Sequence, residues 1–462
     1  MNTAQAPKVA IVGGGLAGLA AGCALSDAGA RVTLFERRSF LGGRASSFQH
    51  PGTGEIVDNC QHVLLGCCTN LIGFYERIGV ADKIRWYDRL TFLEPGGRAS
   101  VIKPSWLPAP LHTAPSFLRT PCFDSRDKLA IARAMMALAP GVPRENGQSF
   151  LQWLQRHGQT ERAIERFWKT ILVSALNEDL ESISVPYAAQ VIRESFLKSA
   201  LAGRMGVPGV PLTELYNSAG DYICRRDGEV RFRASLESFR AEPSQVKLEI
   251  ADGETVFDYA VLALPFGVLA RILPETASAE PLRRSLARFE TSPITGIHLW
   301  FDRQITDLDH AVLLDRTIQW MFHKSRLLGR GDHSYLELVV SSSKSLVEKS
   351  RSEIIELARR ELQEFFPETR GANLIKSTVI KEVHATYSPR PGIDLHRPHT
   401  ETVWPRVFLA GDWTATGWPA TMEGAVRSGY RAAEYVARVA GLRDATCVLP
   451  DLPPSGLMRV LH

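Results

Sequence analysis

Short apolar runs bounded by glycine-containing turns alternate with longer Ala- and Leu-rich stretches along this chain. Residues 9–12 have the pattern of a short buried strand, and residues 16–28 that of a helix that stops at Gly29. Residues 31–36 follow as a second strand. A strand, a helix and a strand in this order predict a βαβ unit at the start of a parallel sheet.

The middle of the chain mixes helical and strand patterns. Residues 126–138 and 149–176 have helical patterns, and residues 352–366 predict a charged amphipathic helix. The segment 231–265 predicts a strand, a connection, a hairpin centred on Asp252-Gly253, and a buried strand that ends at Pro265.

A second sheet is predicted by three further runs, at residues 294–301, 318–323 and 335–341, which we expect to be antiparallel. Residues 407–410 form a late apolar strand, which must return to the N-terminal sheet to be buried. No Gly/Ser linker divides the chain. We therefore predict interleaved domains, with the N- and C-terminal segments together forming one of them.

The stretch at residues 104–122 carries five prolines among Trp, Leu and Phe. So many prolines are incompatible with a regular helix. One interpretation is an irregular surface loop. The other is an apolar patch that touches a membrane or admits a lipid, because exposed apolar loops usually need a partner.

Composition narrows the class of protein. The 462 residues are 45% apolar and 23% charged, which is ordinary for a globular chain with a large core. The net charge of +4 is too small to indicate nucleic acid, although a mildly basic surface could face an anionic membrane. Seven cysteines without a CxxC pair favour a reducing compartment.

Residues 9–25 are apolar, but they are short and glycine-rich, so we reject a signal peptide or membrane span there. No other run is long and apolar enough to cross a bilayer. We expect a cytoplasmic protein, with peripheral attachment to the inner face of the membrane as an open alternative.

The hexapeptide GGGLAG at residues 13–18 fits G-x-G-x-x-G between the first strand and the first helix. Gly13 permits the tight turn, Gly15 lets the backbone approach a pyrophosphate, and Gly18 lets helix and strand pack closely. The helix N-terminus then points free N–H groups at the phosphates. Glu36, at the end of the next strand, can accept both ribose hydroxyls and disfavours a 2′-phosphate.

Two further segments bear on the choice between FAD and NAD, and the C-terminal one decides for FAD. Close after Glu36, the Gly-Gly-Arg run at 42–44 can approach and neutralise a pyrophosphate, or can be an ordinary turn with a surface arginine. Asp412 follows a predicted strand end, where its carboxylate can hold a polyol hydroxyl, and a helix that begins near Thr421 supplies positive potential to a flavin. Trp413 and Trp418 could wall the ring or simply pack in the core. A cofactor contacted by both ends of the chain must be long.

These segments resemble the FAD-dependent amine oxidase and phytoene desaturase superfamily over nearly the whole chain. Within it, VDNCQHVLLGCCTNLIGFYERIGV and FLAGDWTATGWPATMEGAVRSGYRAA resemble the hydroxysqualene dehydroxylase family. The resemblance implies that FAD is held by Gly13, Gly15, Leu16, Ala17, Gly18 and Glu36 at the ADP half, Arg37, Gly43 and Arg44 at the pyrophosphate and ribityl region, Leu236 at the adenine, Gly411 and Asp412 at the ribityl and pyrophosphate, and Thr421 and Met422 at the pyrimidine edge of the flavin.

The fold expected from pattern and resemblance is α/β with an α+β second domain: a Rossmann-like FAD-binding domain and an interleaved substrate domain of antiparallel sheet plus helices. We assign the FAD-binding domain to residues 1–100, 216–290 and 396–445, a mainly helical substrate- or membrane-facing segment to 101–215, the substrate-domain sheet and helix to 291–395, and a tail to 446–462.

The resemblance implies that reduced FAD converts hydroxysqualene to squalene in hopanoid synthesis. Protonation of the allylic hydroxyl releases water, hydride from the flavin quenches the cation, and the site must exclude bulk water. His62 is our candidate proton donor, and a packing histidine is the alternative. We predict no metal, because Cys60, His62, Cys67 and Cys68 fit no usual zinc spacing.

The partner expected from this resemblance is a C30 isoprenoid, with peripheral membrane contact, no nucleic acid, and an electron donor that the sequence does not identify. An apolar tunnel could use Trp300, Phe301, Trp320, Met321 and Tyr335, which could equally be the core of the sheet. Three alternatives stay open: a carotenoid-type desaturase with the opposite electron flow, an amine oxidase, which is less favoured, and a non-catalytic lipid carrier on the same fold.

Overall fold

The computed structural model of the chain describes residues 6–329, 333–443 and 446–460. The strands, in chain order, are β1 (Lys8–Val12), β2 (Arg31–Glu36), β3 (Ser47–Gln49), β4 (Ile56–Asp58), β5 (Leu64–Leu65), β6 (Ile84–Tyr87), β7 (Leu90–Leu93), β8 (Ala99–Ile102), β9 (Met205–Pro208), β10 (Glu229–Phe232), β11 (Leu236–Ala241), β12 (Val246–Ile250), β13 (Gly253–Phe257), β14 (Tyr259–Leu262), β15 (Thr291–Phe301), β16 (His310–Leu313), β17 (Trp320–His323), β18 (Ser334–Ser341), β19 (Leu374–Tyr387) and β20 (Val407–Leu409).

The α-helices are α1 (Leu16–Asp27), α2 (Thr69–Arg77), α3 (Ala114–Arg119), α4 (Ser125–Leu138), α5 (Phe150–Arg156), α6 (Glu161–Ala163), α7 (Thr170–Leu176), α8 (Val185–Ile192), α9 (Leu212–Cys224), α10 (Phe266–Ile272), α11 (Glu280–Leu286), α12 (Lys324–Leu327), α13 (Arg351–Phe365) and α14 (Met422–Val439). Segments Ile164–Lys169 and Arg193–Leu197 are π-helical. Among the described helices, none combines the length and apolarity needed to cross a membrane.

A five-stranded parallel sheet brings the two ends of the chain together. Its order is β10-β2-β1-β14-β20, and β1 pairs in parallel with both β2 and β14. The late strand β20 pairs with β14, which confirms the prediction that it returns to the N-terminal sheet. Helices α1 and α14 pack against each other on this sheet. The predicted α/β, Rossmann-like architecture is confirmed.

The second large sheet has seven strands in the order β19-β15-β18-β17-β16-β7-β8. It is antiparallel, as predicted, except for the parallel pair of β16 and β7. Its longest strand, β19, is absent from the sequence prediction because its inward and outward residues alternate irregularly. One face packs on α13 in a separate apolar core, and the other faces the five-stranded sheet across the cavity described below.

Two sequence-based boundaries cut elements of the structure. Strands β7 and β8 lie within or at the end of the segment assigned to the FAD-binding domain, yet they complete the seven-stranded sheet. The boundary at residue 215 falls inside α9, which packs on α1. Both differences arise because strand pairing and helix docking are long-range contacts that local pattern does not reveal.

The predicted helix at 149–176 is broken. Helix α5 ends at Arg156, Gly158 follows with φ +63°, and Thr160 caps the next helix by accepting from the Ala163 amide. The proline-rich stretch 104–122 was predicted to contain no regular helix, but it contains the short helix α3. Pro115 is tolerated there because it occupies the first turn, where its missing N–H has no helical partner.

Candidate functional site

The glycine turn after β1 is shaped by close backbone contacts. A Cβ at Gly18 would lie 1.9 Å from the carbonyl oxygen of Gly13, so only glycine lets α1 begin this close to the strand. Gly18 therefore allows close packing of the helix on the turn, and it lies behind the residues that line the cavity. Gly13, Gly15, Leu16 and Ala17 line a cavity directly in front of the helix, where the α1 N-terminus offers its free amides.

A second glycine turn, at residues 42–43, lies beside the first and also lines this cavity. The Gly42 amide donates to the Gly14 carbonyl (2.9 Å), which fixes the two turns side by side. Gly43 has φ +62°, and a Cβ there would lie 3.0 Å from the Gly15 Cα. The two glycines thus leave open a backbone-lined cradle that side chains would fill, as a pyrophosphate site requires.

Glu36 ends β2 at the cavity wall and is only 6% exposed. Its carboxylate accepts from the amides of Gly14 and Arg38, both at 2.8 Å, one on each oxygen. Each oxygen keeps a lone pair, so both can still accept a ribose hydroxyl. Arg37 and Leu236 line the same cavity. The resemblance places Leu236 at the adenine and Arg37 at the pyrophosphate and ribityl region.

The C-terminal part of the site meets the N-terminal part through an ion pair. Arg44 Nη2 lies 2.6 Å from Asp412 Oδ1, and Arg44 Nη1 donates to the Ala385 carbonyl at 2.7 Å. Asp412 is buried, whereas the Arg44 side chain is 38% exposed because it faces the cavity. The pair joins residues 368 positions apart and fixes the middle of the cleft.

Helix α14 points its N-terminus into the same cavity. Its cap, Thr421, accepts from the Gly424 amide at 3.1 Å, and Met422 is the first helical residue. Thr421, Met422 and Gly411 line the cavity. The positive end of the helix dipole is thereby available to an anionic group, as predicted for the pyrimidine edge of a flavin.

The structure brings together all the predicted cofactor residues around one cavity of about 1010 Å³, with Gly18 just behind it. The cavity is large for a single ligand site. Backbone amides and the Arg44 guanidinium can donate hydrogen bonds to the pyrophosphate of FAD. The buried carboxylates of Glu36 and Asp412 can accept from its ribose and polyol hydroxyls. The residues therefore fit FAD, although their individual roles remain predictions.

Beyond the predicted flavin position, the cavity is lined mainly by apolar side chains from the seven-stranded sheet and from α7 and α8: Leu90, Phe92, Ile171, Ala175, Val191, Ile294, Val312, Trp320, Phe322 and Val339. The Trp320 indole donates to Ser174 Oγ at 2.7 Å, which fixes the ring at the wall. Such a wall suits an apolar ligand without hydrogen-bonding groups along its length.

Of the five bulky residues considered for a tunnel, Trp320 lines the cavity. Phe301 and Met321 are in the core on the far face of the sheet. Trp300 and Tyr335 stack on each other, with ring centroids 4.3 Å apart, and are not among the residues lining this cavity. Whether each of these residues lines the cavity depends on the face of the sheet toward which its side chain points.

Trp413 and Trp418 both line the cavity and are also packed in apolar cores. Core packing is therefore observed for both, and contact with the flavin ring stays a prediction. The Trp413 indole donates to the Leu264 carbonyl at 2.9 Å. Their loop is held by Arg397, which the sequence reasoning missed. This buried guanidinium donates to the Asp412 carbonyl (3.1 Å) and the Trp418 carbonyl (2.8 Å).

His62 lines the cavity, but its environment opposes the role of an acid. Its Nδ1 lies 2.8 Å from the Cys60 carbonyl. Because a carbonyl only accepts, that nitrogen carries the hydrogen and Nε2 is left as an acceptor. Burial lowers the pKa of His62. The neutral ring is favoured, so proton donation by His62 stays a prediction that runs against its surroundings.

The sequence reasoning also missed a buried group of charged and polar side chains that includes part of the segment 58–62. Lys324 Nζ contacts Asp58, Gln61 and Glu337, at 2.7, 2.8 and 3.5 Å respectively. A glutamate in the apolar run of β18 was the available signal, because such a residue needs a buried partner. In the described part of the chain, no group of potential metal ligands forms.

Comparison with known proteins agrees with this geometry. The family described as flavin containing amine oxidoreductase matches residues 16–437. The 15-cis-phytoene desaturase of Synechococcus elongatus is 27% identical over 93% of this chain and 95% of its own. The zeta-carotene desaturase of Synechocystis sp. is 26% identical over 93% and 97%.

Among solved structures, cyclohexylamine oxidase from Brevibacterium oxydans superposes with a TM-score of 0.69 at 18% identity, covering 94% of this chain and 100% of that one. At that identity the likeness supports the fold alone. The family match spans most of the chain and includes Glu36 on one side of the cofactor site and Asp412 on the other. The protein is therefore an FAD-dependent oxidoreductase that belongs to the flavin containing amine oxidoreductase family.

Proposed function

We propose that this flavoenzyme acts on a long isoprenoid chain and reductively removes the hydroxyl of hydroxysqualene to give squalene. The observation that carries the proposal is the apolar extension of the cavity, which continues from the FAD cradle to Trp320 and Phe322. The segments 57–80 and 408–433 support the narrower assignment through their resemblance to hydroxysqualene dehydroxylases.

The reaction exchanges a C–O bond for a C–H bond: the alcohol, one hydride and one proton give the hydrocarbon and water. When bound, reduced FAD supplies the hydride and becomes oxidised. The chain must bind and bury the substrate so that water does not recapture the allylic cation. The apolar wall performs this exclusion, and Arg44, Asp412 and the α14 N-terminus orient the cofactor against it.

Carotenoid-type desaturation is the second candidate, because the two curated relatives described above carry desaturase names. There the substrate loses a hydride and a proton to oxidised FAD, and an acceptor such as a quinone or oxygen must take the electrons onward. Both candidates need the same apolar cavity. They differ in the direction of electron flow, which the residues on the wall do not determine.

Parallel incubations distinguish the two. Anaerobic enzyme with reduced FAD receives hydroxysqualene, and oxidised enzyme with a quinone receives 15-cis-phytoene. Mass spectrometry then identifies the products. We expect squalene in the first reaction and unchanged phytoene in the second, and the opposite pattern would establish the desaturase. Trp320→Ala should slow turnover while FAD stays bound, whereas the matched variant Trp300→Ala, outside the cavity lining, should not.

The proposed substrate is a C30 isoprenoid alcohol that dissolves in membranes, so contact with a bilayer is part of the proposal. In the proline-rich loop, Trp106 is 91% exposed and Leu118 is 63% exposed. Lys103, immediately before this stretch, and Arg119, the last residue of α3, are exposed as well. The Leu457 amide donates to the Ala109 carbonyl, which places another half-exposed apolar residue beside it. Apolar side chains flanked by cations suit an anionic lipid surface.

A further inference from the structure

A buried group of charged and polar side chains lies next to the segment 60–65, which lines the cavity. We define the Lys324 cluster as Asp58, Gln61, Lys324 and Glu337. Lys324 and Asp58 are 2% and 3% exposed, and Glu337 is fully buried. Charges so far from water are costly unless fully paired. The cluster has one cation for two carboxyl groups, so its charge depends on whether Glu337 holds a proton.

The partners of Lys324 are unequal. Its ammonium donates to Asp58 and Gln61 at 2.7 and 2.8 Å, but Glu337 lies at 3.5 Å. Neither carboxylate oxygen of Glu337 has a hydrogen-bond partner of ordinary geometry in the described chain. Lys324 thus lies closer to Asp58 and Gln61 in this arrangement, and Glu337 is the member whose charge is compensated least.

Among the ionisable groups of the Lys324 cluster, Glu337 is the one whose pKa lies nearest to neutrality. Burial raises the pKa of Glu337 to about 8, although Lys324 opposes the shift. Burial also acts against ionisation of Asp58, but attraction by Lys324 outweighs it and lowers the pKa of Asp58. His298, directly opposite Glu337 on β15, has its pKa lowered to about 3 by burial and is neutral.

The other neighbours do not change this assignment. His62 is favoured as the neutral ring because burial lowers its pKa, and burial raises the pKa of the Cys60 thiol. Tyr335, on the same strand as Glu337, lies 2.8 Å from His298 Nδ1 through its hydroxyl. These groups surround the cluster without adding a second cation.

We propose that Glu337 is a positioning residue that reports its protonation state to the FAD site through Lys324 and the segment 60–63. With the proton present, the cluster is neutral and Lys324 holds Gln61. Without it, the ionised carboxylate competes for Lys324 and weakens the hold on Gln61. The segment then carries a buried negative charge on its far side.

The cluster reaches the lining of the cavity through a single residue, Gln61. Gln61 belongs to the cluster and also lines the cavity, and its amide nitrogen donates to the His62 carbonyl at 3.0 Å. His62 and Val63 line the cavity beside it. An added negative charge disfavours electron-rich, reduced flavin. The proposal rests on bound FAD and is independent of which isoprenoid is the substrate.

The test uses the holoenzyme without substrate. Flavin absorbance and reduction potential are recorded from about pH 6 to about pH 10 for the wild type, Glu337→Gln and Glu361→Gln. Glu361 is a matched control, because it is a buried carboxylate packed against the other face of the same sheet, where it accepts from the Thr317 and Ile318 amides. The flavin's own ionisation is common to all three and cancels.

We expect a transition with a midpoint near pH 8 in the wild type and in Glu361→Gln, and its loss in Glu337→Gln with FAD retained. Lys324→Met should also abolish it, since the link to Gln61 is removed. A transition that persists in Glu337→Gln, that is absent from the wild type, or that disappears in Glu361→Gln would overturn the proposal. Failure of Lys324→Met to fold leaves the Glu337→Gln comparison decisive.

Discussion

Replacement of Asp412 by alanine should weaken FAD binding without unfolding the protein. Asp412 follows β20 and pairs with Arg44 at 2.6 Å, and this ion pair joins the two sides of the cofactor cleft. After the substitution, Arg44 keeps only its bond to the Ala385 carbonyl. The turn at 43–44 and the loop after β20 then have to be ordered by the cofactor itself.

The magnitude follows from the kind of interaction that the substitution removes. A hydrogen bond between charged groups contributes about 1.5–3 kcal/mol when buried. Arg44 is 38% exposed, so solvent screening favours the lower part of this range. Since about 1.4 kcal/mol corresponds to a factor of ten, we expect the Kd for FAD to rise about tenfold to fortyfold.

The assay is titration of apoprotein with FAD, followed by quenching of flavin fluorescence. Circular dichroism and thermal unfolding of the apoprotein report whether the fold is intact. Glu364→Ala is the matched control, because it breaks the Arg316–Glu364 ion pair at the protein surface, far from the cavity lining. Its Kd should equal that of the wild type.

An unchanged Kd in Asp412→Ala would show that the pair does not organise the site, and the placement of the ribityl chain beside Asp412 would be wrong. An equal fall in affinity in Glu364→Ala would also refute the reasoning, because binding would then depend on general stability and not on this ion pair.

Four further outcomes are expected. Glu36→Ala should raise the Kd for FAD at least about tenfold, because the substitution removes a buried acceptor of two amides that is also predicted to accept from the ribose; full flavin occupancy after dialysis would contradict this. Denaturation should release all the flavin, since no flavin linkage is predicted, and a flavin adduct on the denatured chain by mass spectrometry would show otherwise. Trp106→Ser should reduce sedimentation with anionic vesicles, whereas Leu395→Ser, an equally exposed apolar residue elsewhere, should not. Glu337 has a folded pKa raised from 4.5 to about 8, so it binds more protons in the folded state and stability should fall as pH rises through this window; a melting temperature in Glu337→Gln with the same pH dependence as the wild type would exclude this.

The cofactor half of the molecule was predictable because its demands are local. A glycine turn, an acid at the end of the next strand, and a late strand with a helix after it are each readable from short runs of sequence. The parallel sheet then brings them together, since the carboxyl ends of its strands share one edge. Residues as distant as Gly13 and Asp412 were placed in one site for this reason.

The substrate half was less predictable because it depends on the direction in which each side chain points. Trp320 lines the cavity while its neighbour Met321 is buried behind the sheet, and a single-residue shift would exchange them. The Lys324 cluster joins Asp58 and Gln61 to a part of the chain more than 260 positions away, and the only sign of it in the sequence is a charged residue in an apolar strand. The membership of β7 and β8 depends on pairing with β16, which no local pattern encodes.

The most direct test of the account is a single-turnover experiment without oxygen. Holoenzyme is reduced and mixed with hydroxysqualene. Flavin reoxidation is followed by absorbance, and the amount of squalene formed is measured. The account predicts that oxidised flavin appears together with an equal amount of squalene. Flavin that stays reduced beside untouched substrate would contradict the proposed reaction and leave the apolar cavity to a desaturase.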